Sequence, residues 1–278
     1  MAIVWERVVE RARQIDAEYD TAVTLRQLYY RLVTEGAIVH RPWAYRKLSS
    51  HLAASRRAGD GPDLVDTTRR VHVPRAWADA NELVAQIPEL FRLDRTTGQP
   101  LALYVCAEKD TLRSLFASWL DELGVPVLIV RGFASEPYAQ LVKRRTAADP
   151  RPAVLLYVGD WDCSGEDVER DWVARTGCWA RVERVLLTRE QVESYALLPT
   201  EGKARDPRWP AWARRHGYDP QYPVQWEVEG LDPDELQRLV LGAVETYLDR
   251  RALEEVLREE RHQRAQLARF TSGWPGLA

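Results

Sequence analysis

The chain has 278 residues, more than one compact domain usually needs and enough for two domains with separate cores. Its composition is 45% hydrophobic and 29% charged, with a formal net charge of −3, which is typical of a soluble globular protein. No apolar stretch approaches the roughly 20 residues that cross a bilayer, and the amino-terminal residues mix acids with arginines, unlike a signal peptide. We therefore expect a cytoplasmic protein that has no membrane partner.

The amino-terminal region predicts helices. Residues 3–19 have an amphipathic pattern, and Thr24 begins a second helix in which Gln27 completes a capping box. The apolar residues of the second helix have the spacing of one buried stripe: Leu25, Leu28, Tyr29, Leu32 and Val33. Tyr30 lies off that stripe, beside Arg26, and is expected outside the core.

The next segments complete a predicted domain at residues 1–98. A third helix is expected over 43–58, followed at 65–74 by β-branched alternation typical of a short hairpin or wing. A fourth helix is expected over 76–93, and the polar stretch 94–100 is interpreted as a domain boundary. Three helices and a wing predict a winged helix-turn-helix domain.

Basic residues are concentrated in this region. Between Arg26 and Arg75 there are ten basic and four acidic side chains, a net charge of +6 that could hold phosphate. The candidate nucleic-acid contacts on the third helix are Arg46, Lys47, Arg56 and Arg57. A solvated helical face is the alternative interpretation.

The second region, residues 99–278, alternates apolar runs with helical patterns. Strands are expected at 101–106, 125–130, 153–158 and 180–187, and helices at 110–123, 135–145 and 165–175. Continuous apolar strands joined by helices predict an α/β fold with a Rossmann-like parallel sheet. An insertion loop over 196–224 and a helical tail over 232–268 are expected to follow.

Acidic residues follow two of the predicted strands. Glu108 follows the first strand, and Asp160 and Asp162 follow the third. Ligands bind beyond the carboxyl ends of parallel strands, and residues i and i+2 of an extended segment point to one side. Three carboxylates with no histidine or cysteine favour Mg²⁺ or Mn²⁺. The alternative is that these acids cap the helices that follow.

The ordered combination resembles the Toprim domain of topoisomerases, primases and related nucleases: a Glu after the first strand, an Asp-x-Asp after the third, and Gly165 opening the next helix. The run Arg26-Gln27-Leu28-Tyr29-Tyr30 further resembles the catalytic subunit of topoisomerase VI and the related meiotic double-strand-break protein. Residues 226–231, WEVEGL, are similar to a run after the Toprim core of bacterial and phage members. The chain departs from the family at Cys163, Glu229 and Gly230.

The resemblance implies Mg²⁺-dependent cleavage of DNA. Tyr30 matches the tyrosine that attacks the phosphate and forms a 5′-phosphotyrosyl link, Arg26 would relieve charge, and Glu108 would act in catalysis with the metal. In the family the tyrosine and the metal of one site come from different protomers, which implies a homodimer. Because no nucleotide-binding motif is visible, a separate ATPase subunit is a possible partner.

Other functions stay open at this point. A Toprim site can hydrolyse DNA or RNA with metal-activated water, which needs no tyrosine. A non-catalytic DNA-binding module is the third alternative. Lys109 is expected at the surface or facing phosphate. Glu227 and Glu229 are expected either near the metal or as helix caps.

Overall fold

A computed structural model of the protein describes residues 3–19, 23–65, 72–202 and 205–275. Within these ranges the chain is an α/β structure with a four-stranded parallel sheet and eleven α-helices. The helices are α1 (Trp5–Glu18), α2 (Leu25–Thr34), α3 (Pro42–Arg57), α4 (Ala80–Leu90), α5 (Arg113–Asp121), α6 (Glu136–Ala147), α7 (Cys163–Thr176), α8 (Arg189–Ser194), α9 (Trp209–His216), α10 (Pro233–Glu245) and α11 (Arg250–Ser272). The strands are β1 (Ala102–Ala107), β2 (Val127–Ile129), β3 (Ala153–Val158), β4 (Arg181–Leu186), β5 (Thr200–Glu201) and β6 (Val224–Gln225).

Helices α1, α2 and α3 share one apolar core near the amino terminus. The predicted capping box of α2 is confirmed, since the Thr24 hydroxyl accepts the Gln27 N–H at 3.2 Å and the Gln27 side chain accepts the Thr24 N–H at 2.9 Å. These two bonds satisfy donors that a helix start would otherwise leave without partners. The expected wing depends on residues 66–71, which lie outside the described ranges, and no strand precedes Ala102 in the part that is described. The winged-helix assignment therefore stays a prediction.

The predicted parallel sheet is confirmed, with strand order β2-β1-β3-β4. Strands β1 and β3 are buried along their whole length because helices cover both faces. Their ends are in register, with Ala107 paired to Val158. The residues that follow these two strands therefore emerge side by side at one edge of the sheet.

The segment 196–224, expected to be an insertion loop, is partly regular. It contains β5, β6 and the helix α9, whose tryptophans pack in an aromatic cluster over the end of β3. Trp161 lies 5.3 Å from Trp212 between ring centroids. The backbones of Trp161 and Trp226 exchange hydrogen bonds of 2.9 and 3.1 Å. This bridge fixes the residues after Trp226 beside the end of β3.

The expected carboxy-terminal tail is two helices, α10 and α11. Helix α11 packs against α4, and the buried Glu260 carboxylate of α11 accepts hydrogen bonds from the Leu93 N–H at 3.0 Å and from Arg95 at 3.1 Å. The last helix thus fastens the polar stretch 94–100 to the rest of the chain. Across the described residues, no helix is long and apolar enough to cross a membrane.

Candidate active site

The ends of β1 and β3 bring Glu108 and Asp160 together, as the sequence predicts. The Asp160 N–H donates to Glu108 Oε2 at 3.4 Å. The close approach requires glycine, because a Cβ on Gly159 would lie 3.0 Å from Glu108 Oε2 and 2.7 Å from the Tyr157 ring. A Cβ on Gly165 would lie 2.4 Å from the Asp160 carbonyl oxygen. The two glycines therefore allow the acidic strand ends to pack tightly.

The Glu108 carboxylate is largely buried at the end of β1. Burial, followed by the charges of Asp160 and Asp162, raises the pKa of Glu108 to about 7. No ion pair to Glu108 occurs within the described ranges, although the Lys109 charge acts on it from a distance. The site thus contains a carboxylate whose ionised form is destabilised unless a cation approaches.

Asp162 confirms the alternative interpretation of capping. Its Oδ1 accepts the Gly165 N–H at 2.6 Å, which makes Asp162 the N-cap of α7. One carboxylate oxygen is therefore committed to the helix start. Its charge still contributes to the raised pKa of Glu108, so the two groups belong to one electrostatic environment.

The expectation of a surface position for Lys109 is wrong, whereas a phosphate-facing position stays a prediction. Its Nζ lies 2.8 Å from Asp160 Oδ2, 3.0 Å from Glu227 Oε2 and 3.7 Å from Glu229 Oε2. Burial disfavours its charge, but these three carboxylates outweigh burial and raise the pKa of Lys109 above its ordinary value. Lys109 therefore supplies a counter-charge to Asp160, one of the three predicted metal ligands.

Glu227 and Glu229 are buried members of the same cluster and do not cap a helix. Arg26 Nη2 lies 2.6 Å from Glu227 Oε2, and Arg26 Nε lies 3.5 Å from Glu229 Oε2. Although burial opposes ionisation, Lys109 and Arg26 hold the pKa of Glu227 below its ordinary value. The two glutamates therefore join α2 to the ends of the sheet strands.

The prediction that Tyr30 lies outside the core is wrong. Tyr30 is 7% exposed and belongs to the core of the first three helices. The 3₁₀ turn Val228–Gly230 packs on the face of α2 that the helical pattern left uncovered. The Tyr30 hydroxyl contacts Arg26 and Glu227. Burial, followed by the Glu227 charge, raises the pKa of Tyr30 well above its ordinary value of 10.0.

The carboxylates suit Mg²⁺ or Mn²⁺ in chemistry and placement, because all are oxygen donors at the ends of adjacent strands. A bound cation would also stabilise the ionised form of Glu108, which burial and the neighbouring carboxylates destabilise. In the described part of the chain, however, no three acidic, histidine or cysteine side chains are already arranged to hold a metal ion. Lys109 is already paired with Asp160. A cation bound by Glu108, Asp160 and Asp162 therefore requires the ion pair between Lys109 and Asp160 to break or shift.

The four candidate nucleic-acid contacts lie on α3. Arg46, Lys47, Arg56 and Arg57 are all exposed, and Arg56 donates one hydrogen bond to the Leu64 carbonyl at 3.2 Å. In the ranges described, none of the four is in an ion pair with an acidic side chain. Their exposure is compatible both with contact to a polyanion and with a solvated face.

Comparison with protein-family models gives no match, and comparison with curated proteins gives no significant match. The functional argument therefore depends on the residues of the site.

Proposed function

We propose that this chain cleaves the phosphodiester backbone of DNA in a reaction that depends on Mg²⁺ or Mn²⁺, with a Toprim-like site resembling that of the topoisomerase VI catalytic subunit. One observation carries the proposal. A continuous series of contacts joins Tyr30 through Glu227, Lys109 and Asp160 to Glu108. It unites in one chain the tyrosine and the acidic groups that this chemistry needs.

Glu108, Asp160 and Asp162 would hold the cation. When bound, the cation would polarise the scissile phosphate and stabilise the leaving 3′ oxygen. The protein's own groups supply the remaining chemistry. Burial of Glu108 and Asp160 limits competing water, which strengthens electrostatic interactions at the phosphate.

Tyr30 is the proposed nucleophile. Its Oη would form a bond to phosphorus as the bond from phosphorus to the 3′ oxygen breaks, giving a 5′-phosphotyrosyl link and a 3′ hydroxyl that takes up a proton from water. The Glu227 carboxylate contacts the Tyr30 hydroxyl and can accept its proton. Arg26, which contacts the same hydroxyl, can stabilise negative charge on the phosphate.

Hydrolysis by metal-activated water is the second candidate. Burial raises the pKa of Tyr30, whereas the pKa of Glu227 is lowered. Proton transfer from the Tyr30 hydroxyl to Glu227 is therefore unfavourable, which favours water as the nucleophile. The same cation site serves both reactions. Only the nucleophile differs.

Replacement of single side chains separates the two candidates. Tyr30→Phe removes only the attacking hydroxyl, and Tyr29→Phe is a matched control for the loss of a neighbouring tyrosine hydroxyl. With the tyrosine mechanism, wild type and Tyr29→Phe leave protein on the 5′ end of labelled DNA in Mg²⁺, whereas Tyr30→Phe does not cleave although its melting temperature is unchanged. Normal cleavage by Tyr30→Phe with no covalent protein would establish hydrolysis. Absence of cleavage by wild type, with DNA binding retained, would support the non-catalytic binding module.

A homodimer and a separate ATPase subunit belong to the proposal through the family resemblance. Contact between Tyr30 and Glu227 inside one chain supports a site assembled within one protomer. A dimer would then serve to place two cuts on opposite strands. Sedimentation of the full chain with and without DNA would measure the oligomeric state.

A further inference from the structure

A cavity of about 600 Å³ opens beside Tyr30, between helices α2 and α3 and the paired strands β5 and β6. Its volume is in the range of small-molecule sites, about 300 to 1,000 Å³. Glu227 contributes to its wall, so the cavity adjoins the acidic cluster. No step of the proposed cleavage uses most of its lining.

Aromatic rings form one side of the cavity. Tyr29 meets Tyr45 edge to face at 5.1 Å between centroids, and Tyr30 meets His40 in the same way at 5.5 Å. These contacts hold the rings in fixed orientations. Tyr45 and His40 are half-buried, which leaves part of each ring open to the cavity. Rigid aromatic rings at a cavity wall are a surface on which nucleobases stack.

Two exposed arginines lie at the opening of the cavity. Arg41 and Arg46 line the cavity and are exposed. Arg41 approaches Glu201 across the opening at only 4.0 Å, with both side chains solvated, which makes this a weak ion pair. Both guanidinium groups are therefore able to bind a phosphate. Thr200 and Gln225, on the opposite wall, supply polar atoms for the edge of a base.

We propose that this cavity receives the base of an unpaired nucleotide in a nucleic-acid strand, stacked on Tyr45 and His40, with the adjacent phosphate against Arg41 and Arg46. The inference rests on the proposed function and specifies its substrate as a strand with an unpaired nucleotide at the site of cleavage. A paired base cannot enter such a cavity without leaving the duplex, and unpairing and unstacking are unfavourable. The protein should therefore bind DNA with an unpaired nucleotide more tightly than a fully paired duplex.

The test is binding without divalent cation, so that it does not depend on cleavage. Fluorescence anisotropy would compare the full-length protein on a labelled duplex and on the same duplex with one unpaired nucleotide. Stacking contributes about 1 to 3 kcal/mol per base, so wild type should bind the second DNA roughly 5- to 150-fold more tightly. Tyr45→Leu keeps the bulk of the side chain but removes the ring and should abolish the preference. Tyr222→Ala, at a tyrosine that is 69% exposed and does not line the cavity, should retain it.

A second variant guards against a folding defect. Arg41→Gln changes an exposed cavity residue that is not among the four duplex candidates on α3, and it should reduce the preference while the melting temperature stays unchanged. Equal binding of both DNAs by wild type, or an equal loss on both DNAs in Tyr45→Leu, would overturn the proposal. Competition by a free mononucleotide at the concentration at which the oligonucleotide binds would instead assign the cavity to a free nucleotide and overturn the strand substrate. Selective binding without any cleavage in Mg²⁺ would contradict the proposed function and leave the cavity assignment intact.

Discussion

The acidic site has two sides that differ in how their charge is balanced. On the inner side, Asp160, Glu227 and Glu229 face Lys109 or Arg26. On the outer side, Glu108 has no ion pair in the described chain, and one carboxylate oxygen of Asp162 accepts a hydrogen bond at the start of α7. The protein therefore neutralises one side with its own cations and leaves the other to an external one. Substitutions on the two sides should therefore change the free energy of unfolding by different amounts and with different signs.

The largest effect is expected from Lys109→Met on the inner side. Removing one partner of a buried ion pair costs about 3 to 5 kcal/mol, so the metal-free variant should lose about 4 kcal/mol of unfolding free energy. Because Asp160 is released, Mg²⁺ should bind more tightly than to wild type. Urea denaturation in chelator and titration calorimetry measure the two effects. Lys47→Met, at an exposed lysine, is the control that should change neither.

An unchanged unfolding free energy, or weaker Mg²⁺ binding by Lys109→Met, would show that the lysine does not compete for the site. The inner side would then be balanced by Arg26 alone.

The next effect is expected from Glu108→Gln on the outer side, with the opposite sign. The folded-state pKa of Glu108, about 7, lies above its ordinary value of 4.5, so ionisation of Glu108 destabilises the metal-free fold as pH rises from 4.5 through 7. Above pH 7 the uncharged variant should be more stable than wild type by about 3 kcal/mol, and below pH 4.5 the difference should vanish. Urea denaturation at about pH 4 and pH 8 in chelator measures it.

Saturating Mg²⁺ at pH 8 should reverse the order of the two proteins, because only wild type keeps the carboxylate that binds the cation. A variant that is no more stable than wild type at pH 8 without metal would mean that Glu108 already has an unseen counter-charge.

A smaller effect is expected at Asp162, where two variants separate capping from charge. Asp162→Ala removes the N-cap of α7 and should cost about 1 kcal/mol, whereas Asp162→Asn keeps a side-chain acceptor and should cost only a few tenths. Both should weaken Mg²⁺ binding in calorimetry. If Asp162→Asn binds the cation as wild type does, Asp162 is only a helix cap.

The smallest change in stability is expected far from the acidic cluster, on the exposed face of α3. Replacement of all four basic residues by glutamine, at Arg46, Lys47, Arg56 and Arg57, should alter the unfolding free energy by no more than about 0.5 kcal/mol. Duplex affinity should nevertheless fall, and the slope of log affinity against log salt should decrease by up to about 3.6. Replacement of Arg170 and Arg251, which are exposed elsewhere, is the control. An unchanged salt dependence would make the α3 face an ordinary solvated surface.

Local sequence signals predicted much of the fold because the forces concerned are local. The Thr24 and Gln27 capping box lies within one turn, and the strand 153–158 is a continuous apolar run, and both were predicted with their residues. Glu108 and Asp160 were predicted to meet because strand ends of a parallel sheet share an edge. The segment 196–224 was harder, since α9 is short and its tryptophans have no long period.

The errors share a physical cause. Tyr30 was expected outside the core because it lies off the apolar stripe of α2, and the distant turn Val228–Gly230 packs against that helix. Lys109 was expected at the surface or facing phosphate, and its partners Asp160, Glu227 and Glu229 all lie far along the chain, with Glu227 118 residues away. Periodicity within a helix carries no information about partners so far along the chain.

Because α2 packs on residues near 230, the acidic cluster can assemble only late in the synthesis of the chain. Tyr19 hydrogen-bonds Asp232 at 2.5 Å, a contact between residues 213 positions apart. At translation rates of about 5 to 20 residues per second, roughly 10 to 40 seconds separate the two residues' emergence. Through that interval Arg26 and Tyr30 stand without Glu227, so a nascent chain carries no assembled cluster. Any chemistry that the cluster performs begins only after the ribosome has passed Glu229.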